Sequence, residues 1–112
     1  MNQAMPSFDY DGYPDDHAIE TVKEWDGDFN DLMRFVKDHW KYANCGYWSE
    51  QYNVEDPPFR PSNVYRISTA GWSGNESLLG ALMDNNVFWL MCWYSSRRGG
   101  HYEFRVATEV TK

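Results

Sequence analysis

Residues 87–102 read Val87-Phe88-Trp89-Leu90-Met91-Cys92-Trp93-Tyr94-Ser95-Ser96-Arg97-Arg98-Gly99-Gly100-His101-Tyr102. The first eight of these residues are all apolar, which predicts a central strand that is buried on both faces. Residues 97–100 predict a turn, and the alternation of Tyr102, Phe104 and Val106 with polar residues predicts a returning strand. We therefore expect this stretch to supply two antiparallel strands of a sheet.

Upstream of these strands, the pattern predicts two amphipathic helices. Pro14, followed by Asp15 and Asp16, is typical of a helix start. Apolar residues at three- and four-residue intervals then predict helices over about 15–25 and about 29–41, with Asp28 as the cap of the second. Residues 42–62 are rich in Tyr, Asn, Pro and Gly, and we expect them to be irregular.

A strand over about 63–70 and a third helix complete the predicted fold. Ser73-x-x-Glu76 has the form of a capping box, and the helix that it begins is expected to end at Asn85-Asn86. The predicted fold is a small α+β domain in the order α-α-β-α-β-β, with a three-stranded, mostly antiparallel sheet packed with helices. We expect residues 1–12 to be a flexible acidic tail and residues 13–112 to be a single domain.

Charge is distributed unevenly along the 112 residues, whose net charge is −7. Residues 1–58 carry 13 acidic and 4 basic side chains, whereas residues 59–112 carry 4 acidic and 6 basic ones. An acidic chain is not expected to bind nucleic acid non-specifically, but a local basic site could still take a small anion. No apolar stretch has transmembrane length, and there are only two cysteines, so we expect a cytoplasmic protein that does not bind a membrane.

Two polar, glycine-rich segments form the candidate site, and each one flanks a predicted strand. In the first, residues 68–76, glycines surround a helix start whose free N–H groups could donate hydrogen bonds to a phosphate or carboxylate. In the second, residues 95–102, two arginines and a histidine offer donors to an anion. Helix capping and a solvated hairpin tip are the structural alternatives for the two segments. The expected ligand-binding residues are Trp72, Ser73, Asn75, Ser96, Arg97, Arg98, His101 and Tyr102, with Trp72 or Tyr102 stacking on the planar part of the ligand.

Short stretches of the sequence resemble catalytic or metal-binding motifs, but each lacks a residue that the motif needs. Gly71-Trp72-Ser73-Gly74-Asn75 lacks the last glycine of a nucleophile elbow, and Asp26-x-Asp28-x-Asn30 lacks the glycine of a calcium loop. The three histidines have no metal-ligand spacing. Acid–base cleavage of a phosphodiester by His101 or Glu103 beside the two arginines stays open. We expect a binding protein rather than an enzyme, with no cofactor and no metal.

Two motifs carry a family resemblance: Ser68-Thr69-Ala70-Gly71-Trp72-Ser73-Gly74-Asn75-Glu76 and Ser95-Ser96-Arg97-Arg98-Gly99-Gly100-His101-Tyr102-Glu103-Phe104. On these motifs the chain resembles a family of small uncharacterised proteins of bacteria, prophages and phages. The resemblance spans about residues 13–106. Ala70 departs from it, because glycine is expected at that position. The resemblance implies a phage or prophage origin, and therefore the host cytosol, but no particular chemistry.

Two binding hypotheses follow for a small acidic protein of phage type. In the first, the site sequesters a nucleotide-like immune signal of the host. In the second, the acidic helices between Asp15 and Asp38 cover a basic surface of a host nuclease or defence protein. The high aromatic content of a chain this small also favours a homodimer. We favour the first hypothesis, under which replacing Arg97 and Arg98 by alanine abolishes activity and charge reversal on the helices does not.

Overall fold

The computed structural model describes residues 6–56 and 59–108. Within these two ranges the chain forms four α-helices, one 3-10 helix and one four-stranded antiparallel sheet of strand order β1-β2-β4-β3. The elements in chain order are α1 Asp16–Lys23, α2 Phe29–His39, the 3-10 helix Ala43–Cys45, β1 Trp48–Asp56, β2 Phe59–Ser68, α3 Ser73–Asp84, α4 Asn86–Cys92, β3 Trp93–Arg97 and β4 His101–Ala107. The α+β class is confirmed, whereas the three-stranded sheet and the predicted element order are wrong.

Helices α1 and α2 lie where the sequence predicts them, because local capping supports both. The Asp15 carboxylate accepts a hydrogen bond from the backbone N–H of Ala18 at 2.9 Å, and Asp28 caps α2 through the N–H of Asn30 at 2.8 Å. Helix α3 also begins at Ser73, but the capping box is wrong. Its N-cap residue is Trp72, and no side chain of the described residues caps that end.

The apolar run 87–94 is not a central strand. Most of it forms α4, which begins where the Asn85 side chain accepts a hydrogen bond from Phe88 N–H at 3.1 Å. Phe88 and Cys92 are buried at helical i,i+4 spacing, while the other side of α4 is exposed. The strand β3 begins only at Trp93 and lies at the edge of the sheet.

Strand β1 lies within the segment that was predicted to be irregular. It pairs with β2 in an antiparallel register that sets Trp48 opposite Ile67 and Gln51 opposite Val64. The register shifts beyond Gln51, where Asn53 has a φ of 55°. The apolar alternation of Trp48, Tyr52 and Val54 is interrupted at Glu50, so the pattern is too short to predict this edge strand.

The core lies between one face of the sheet and the helices. Its largest fully buried side chains include those of Phe88, Phe104, Leu32, Met33, Ile67, Leu78 and Leu82. No helix within the described ranges is long and apolar enough to cross a membrane.

The segment before α1 contacts this domain. Ser7 donates its backbone N–H to His39 Nε2 at 2.9 Å, and Phe8 forms a β-bridge with Pro14. Residues 1–5 of the predicted tail lie outside the described residues, so the flexible tail and the domain boundary at residue 13 stay predictions.

Candidate anion-binding site

The two polar segments meet at the end of the sheet. Ser68, the last residue of β2, is the register partner of His101, the first residue of β4. One step further, Thr69 donates its backbone N–H to the carbonyl of Gly100 at 3.1 Å. Gly100 has a φ of 79°, and a Cβ there would collide with Thr69 Oγ1. Glycine is therefore required for this close approach.

A cavity of about 370 Å³ lies where the segments meet, on the sheet face that points away from the helices. The strand register explains its composition, because cross-strand partners lie on the same face of a sheet. Arg66 lies opposite Glu103, and His101 lies between Ser68 and Arg97. The residues that line the cavity are Arg66, Ile67, Ser68, Ser95, Arg97, His101, Tyr102 and Glu103.

The arginines of the cavity differ in how they are engaged. Arg66 Nε lies 3.2 Å from a carboxylate oxygen of Glu103, and Arg66 Nη1 donates to Gln51 at 2.7 Å. Glu103 also pairs with Arg105 at 2.8 Å. By contrast, the side chain of exposed Arg97 makes no hydrogen bond or ion pair with any residue that the structure describes. Its whole guanidinium group is therefore available to an anion.

A serine and a histidine form a hydrogen-bonded pair beside Arg97. Ser68 Oγ lies 2.5 Å from Nδ1 of His101, and both side chains line the cavity. Ser95 adds a second hydroxyl on the same face. The cavity thus combines hydroxyl, imidazole and guanidinium groups, which are the groups that bind phosphate or carboxylate in proteins.

The structure brings three of the eight predicted residues to this cavity: Arg97, His101 and Tyr102. Ser96 pairs with Tyr102 in the register, and its hydroxyl accepts a hydrogen bond from Trp93 Nε1 at 2.7 Å. Arg98 belongs to the exposed turn between β3 and β4 and is not among the lining residues. The second motif therefore supplies most of the lining, although not through every residue that we expected.

The three predicted residues of the first motif lie away from the cavity. The Trp72 ring packs 4.7 Å from that of Tyr13, with Lys41 Nζ at 4.8 Å from its centre. Ser73 is exposed, and its hydroxyl lies 3.4 Å from Tyr13 Oη. From this motif only Ser68 reaches the cavity, because the chain turns away at Ala70 and Gly71.

Asn75 has a structural role in this arrangement. Its side chain is fully buried. Oδ1 accepts the backbone N–H of Lys41 at 2.9 Å, and Nδ2 donates to the carbonyls of Lys41 at 3.1 Å and of Thr69 at 3.2 Å. The amide thereby joins the end of α2 to the turn that precedes α3.

Five lining residues are absent from the predicted ligand-binding set, which are Arg66, Ile67, Ser68, Ser95 and Glu103. The sequence indicated Glu103 only as a candidate acid or base. Alternation along β2 could have placed Arg66 and Ser68 on one face. Their meeting with Glu103 and Ser95 depends on the register between strands, which the sequence pattern does not specify. Among residues 6–56 and 59–108, no three His, Cys, Asp or Glu side chains lie together in a way that could hold a metal ion.

No protein-family model, curated protein or solved structure matches this chain. The resemblance to a family of phage and prophage proteins therefore stays a prediction.

Proposed function

We propose that the cavity on the outer sheet face binds the anionic group of a small, nucleotide-like molecule. The observation that carries the proposal is the guanidinium of Arg97, which pairs with no side chain among the described residues, beside the Ser68–His101 pair. On the basis of the resemblance to phage proteins, we further propose that binding withholds this molecule from a host defence system.

The chemistry of the cavity suits a phosphate or carboxylate group. A guanidinium presents forked donors that match the oxygens of either group. Arg97 can offer this fork without first breaking an internal ion pair, whereas Arg66 would have to share its donors with Glu103. The nearby hydroxyls of Ser68 and Ser95 can complete the coordination of the anion.

Neither aromatic residue that the sequence indicated turns its ring toward the cavity. Tyr102 borders the cavity, but side chains alternate along β4, and because His101 faces the cavity, the Tyr102 ring lies on the inner sheet face, parallel to that of Phe104 at 6.3 Å. Trp72 packs against Tyr13. We therefore propose a site for the anionic group and assign no stacking contact to the planar part of the ligand.

Replacing Arg97 by alanine tests the proposal against a matched neighbour, because Arg98→Ala removes the same charge outside the cavity. The wild-type chain would be titrated with inorganic phosphate and with a nucleoside monophosphate, following backbone amide signals by NMR. We expect the signals of Ser68, Arg97 and His101 to shift. Arg97→Ala should weaken binding about tenfold or more, since a charged hydrogen bond contributes roughly 1.5–3 kcal/mol.

Arg98→Ala should bind almost as tightly as the wild type in the same titration. An equal loss in both variants would mean that general positive charge, and not the cavity, attracts the anion. No response of the three cavity residues to either probe would contradict the proposal. Both arginines are exposed, so unchanged thermal unfolding would confirm that each variant is folded.

The Ser68–His101 hydrogen bond favours phosphodiester cleavage as a second candidate function. His101 would take the proton of Ser68 Oγ as this oxygen bonds to phosphorus, and would return the proton to the ester oxygen as its bond to phosphorus breaks, while Arg97 stabilises the developing negative charge. Water would then release the phosphoryl group from Ser68. Glu103 suits the role of base less well, because its carboxylate is held by Arg66 and Arg105. Recovering an added dinucleotide intact after incubation would favour binding, whereas products that disappear with Ser68→Ala would favour catalysis.

A further inference from the structure

Helix α4 and the residues beside it expose a large apolar surface. Leu90 is 86% exposed, Met91 70% and Val87 59%. Met83, at the end of α3, and Trp93, at the start of β3, are each 44% exposed. We call these five side chains the α4 patch. Soluble monomers rarely expose so many neighbouring apolar side chains unless the surface binds something.

The patch arises because α4 is apolar on every side from Val87 to Cys92. The core of one chain covers only Phe88 and Cys92 completely, and Trp89 in part. A helix that is apolar all round normally has packing partners all round. The apolar side chains on the exposed side of α4 thus have no packing partner among the described residues.

The lack of charged residues around the α4 patch indicates which kind of partner can bind there. The segment 85–96 contains no charged residue, although 24% of the chain is charged. A strongly basic or acidic partner would find no ion pair along this segment. The net charge of −7 also disfavours an anionic lipid surface. The partner should therefore present an uncharged, apolar surface of its own.

Next to the patch lies a sheet edge with which no strand of the described residues pairs. Strand β3 follows α4 directly and is an edge strand of the sheet. Helix α4 packs on the inner sheet face, where the Trp89 and Phe104 rings are 5.5 Å apart. An antiparallel meeting of two β3 edges around a twofold axis perpendicular to the sheet would keep both copies of α4 on the same face. The two patches could then contact each other across the axis.

We propose that the α4 patch binds a second copy of this chain in a twofold-symmetric dimer, with the β3 edges side by side. A second copy carries both features that the surface requires, an uncharged apolar patch and an unpaired strand edge. Five side chains and one short edge lie at the small end of stable interfaces, which bury about 800 Å² per partner. We therefore expect a dissociation constant on the order of micromolar. The proposal does not rest on anion binding.

Sedimentation velocity across the micromolar range tests the dimer with two matched variants. Leu90→Glu places one negative charge in the patch, and Tyr10→Glu places the same charge on a fully exposed residue outside it. We expect the wild type and Tyr10→Glu to dimerise alike, and Leu90→Glu to stay monomeric. Because Leu90 is exposed, circular dichroism should show the same fold for all three proteins.

The dependence of dimerisation on salt concentration provides a second test. Screening the net charge should strengthen a dimer held by apolar contacts, so the wild-type dimer should become tighter as sodium chloride is raised. A wild type that is monomeric throughout this range overturns the proposal, as does a Leu90→Glu variant that dimerises normally. Binding of a monomeric wild type to uncharged lipid vesicles, lost in Leu90→Glu, would assign the patch to a lipid surface instead.

Discussion

Backbone conformation at two consecutive residues determines where the first motif leaves the sheet. Ala70 and Gly71 have φ angles of 57° and 70°, and Trp72 N–H closes the turn on the carbonyl of Thr69 at 3.1 Å. Positive φ is unfavourable for any residue with a Cβ, and costs alanine roughly 1–2 kcal/mol. Glycine at position 70, which the family resemblance leads us to expect, would remove that strain.

Ala70→Gly should therefore stabilise the protein by about 1 kcal/mol, since strain relief outweighs the added freedom of the unfolded chain. Gly71→Ala is the matched control, because a Cβ there meets no atom within 4 Å and adds backbone strain alone. We expect it to destabilise the fold by about the same amount. Urea denaturation measures both variants, and a loss of stability in Ala70→Gly would contradict this explanation.

Two buried asparagines connect the helices to the rest of the molecule. Asn75 joins the end of α2 to the turn before α3. Asn85 caps α4 and also donates to the carbonyls of Val22 and Trp25, both at 3.0 Å, at the end of α1. Each amide thus satisfies backbone groups of two elements that are distant in sequence.

Asn85→Ala should destabilise the fold by about 2 kcal/mol or more, because it removes a helix cap and a donor to two buried carbonyls. Asn86→Ala changes the next residue, which is exposed at the first position of α4, and should have little effect. The difference in the free energy of unfolding between these variants measures the role of Asn85. Equal values would show that α4 does not depend on this amide.

Stability of the whole molecule should decrease at alkaline pH. Burial raises the pKa of the Cys92 thiol from 9.0 to about 12, and burial is also the main cause of the raised pKa of Tyr65. Both groups hold their protons more tightly in the folded protein than in the unfolded chain. The contribution of Cys92 is therefore complete below pH 9.0 and is lost as the pH rises towards 12, and that of Tyr65 is lost only above its ordinary pKa of 10.0.

Cys92→Ala should reduce the slope of stability against pH above pH 9.0, even though the smaller side chain lowers stability at every pH. Exposed Cys45 provides the control, and Cys45→Ala should keep the wild-type slope. Urea denaturation at several alkaline pH values gives the slopes. An unchanged slope in Cys92→Ala would exclude the buried thiol as a cause.

At acid pH, the Asp15 carboxylate contributes to the pH dependence of stability. The Ser7 hydroxyl donates to the Asp15 carboxylate and lowers its pKa, with the backbone N–H of Ala18 as the next cause. This carboxylate contributes stability above its ordinary pKa, and the contribution is lost as the pH falls. The same hydrogen bond joins the segment before α1 to the start of that helix.

Features that depend on neighbours along the chain could be predicted from the sequence. Helices α1 and α2 follow from Asp15, Asp28 and a 3.6-residue apolar period, all of which act within one or two turns. The turn before β4 follows from Gly99 and Gly100, whose positive φ angles it requires. The same turn makes Arg97 and His101 register partners at the sheet end.

Only the tertiary structure decided the remaining features, because they depend on contacts between distant parts of the chain. The run 87–94 has no period that separates helix from strand, and Asn85, held by the end of α1, begins a helix there. Strand β1 forms because β2 offers it a paired edge. Strand register brings Arg66 and Glu103 into the cavity. Asn75, by contrast, is buried between two backbone segments and has a structural role instead of a place in the cavity.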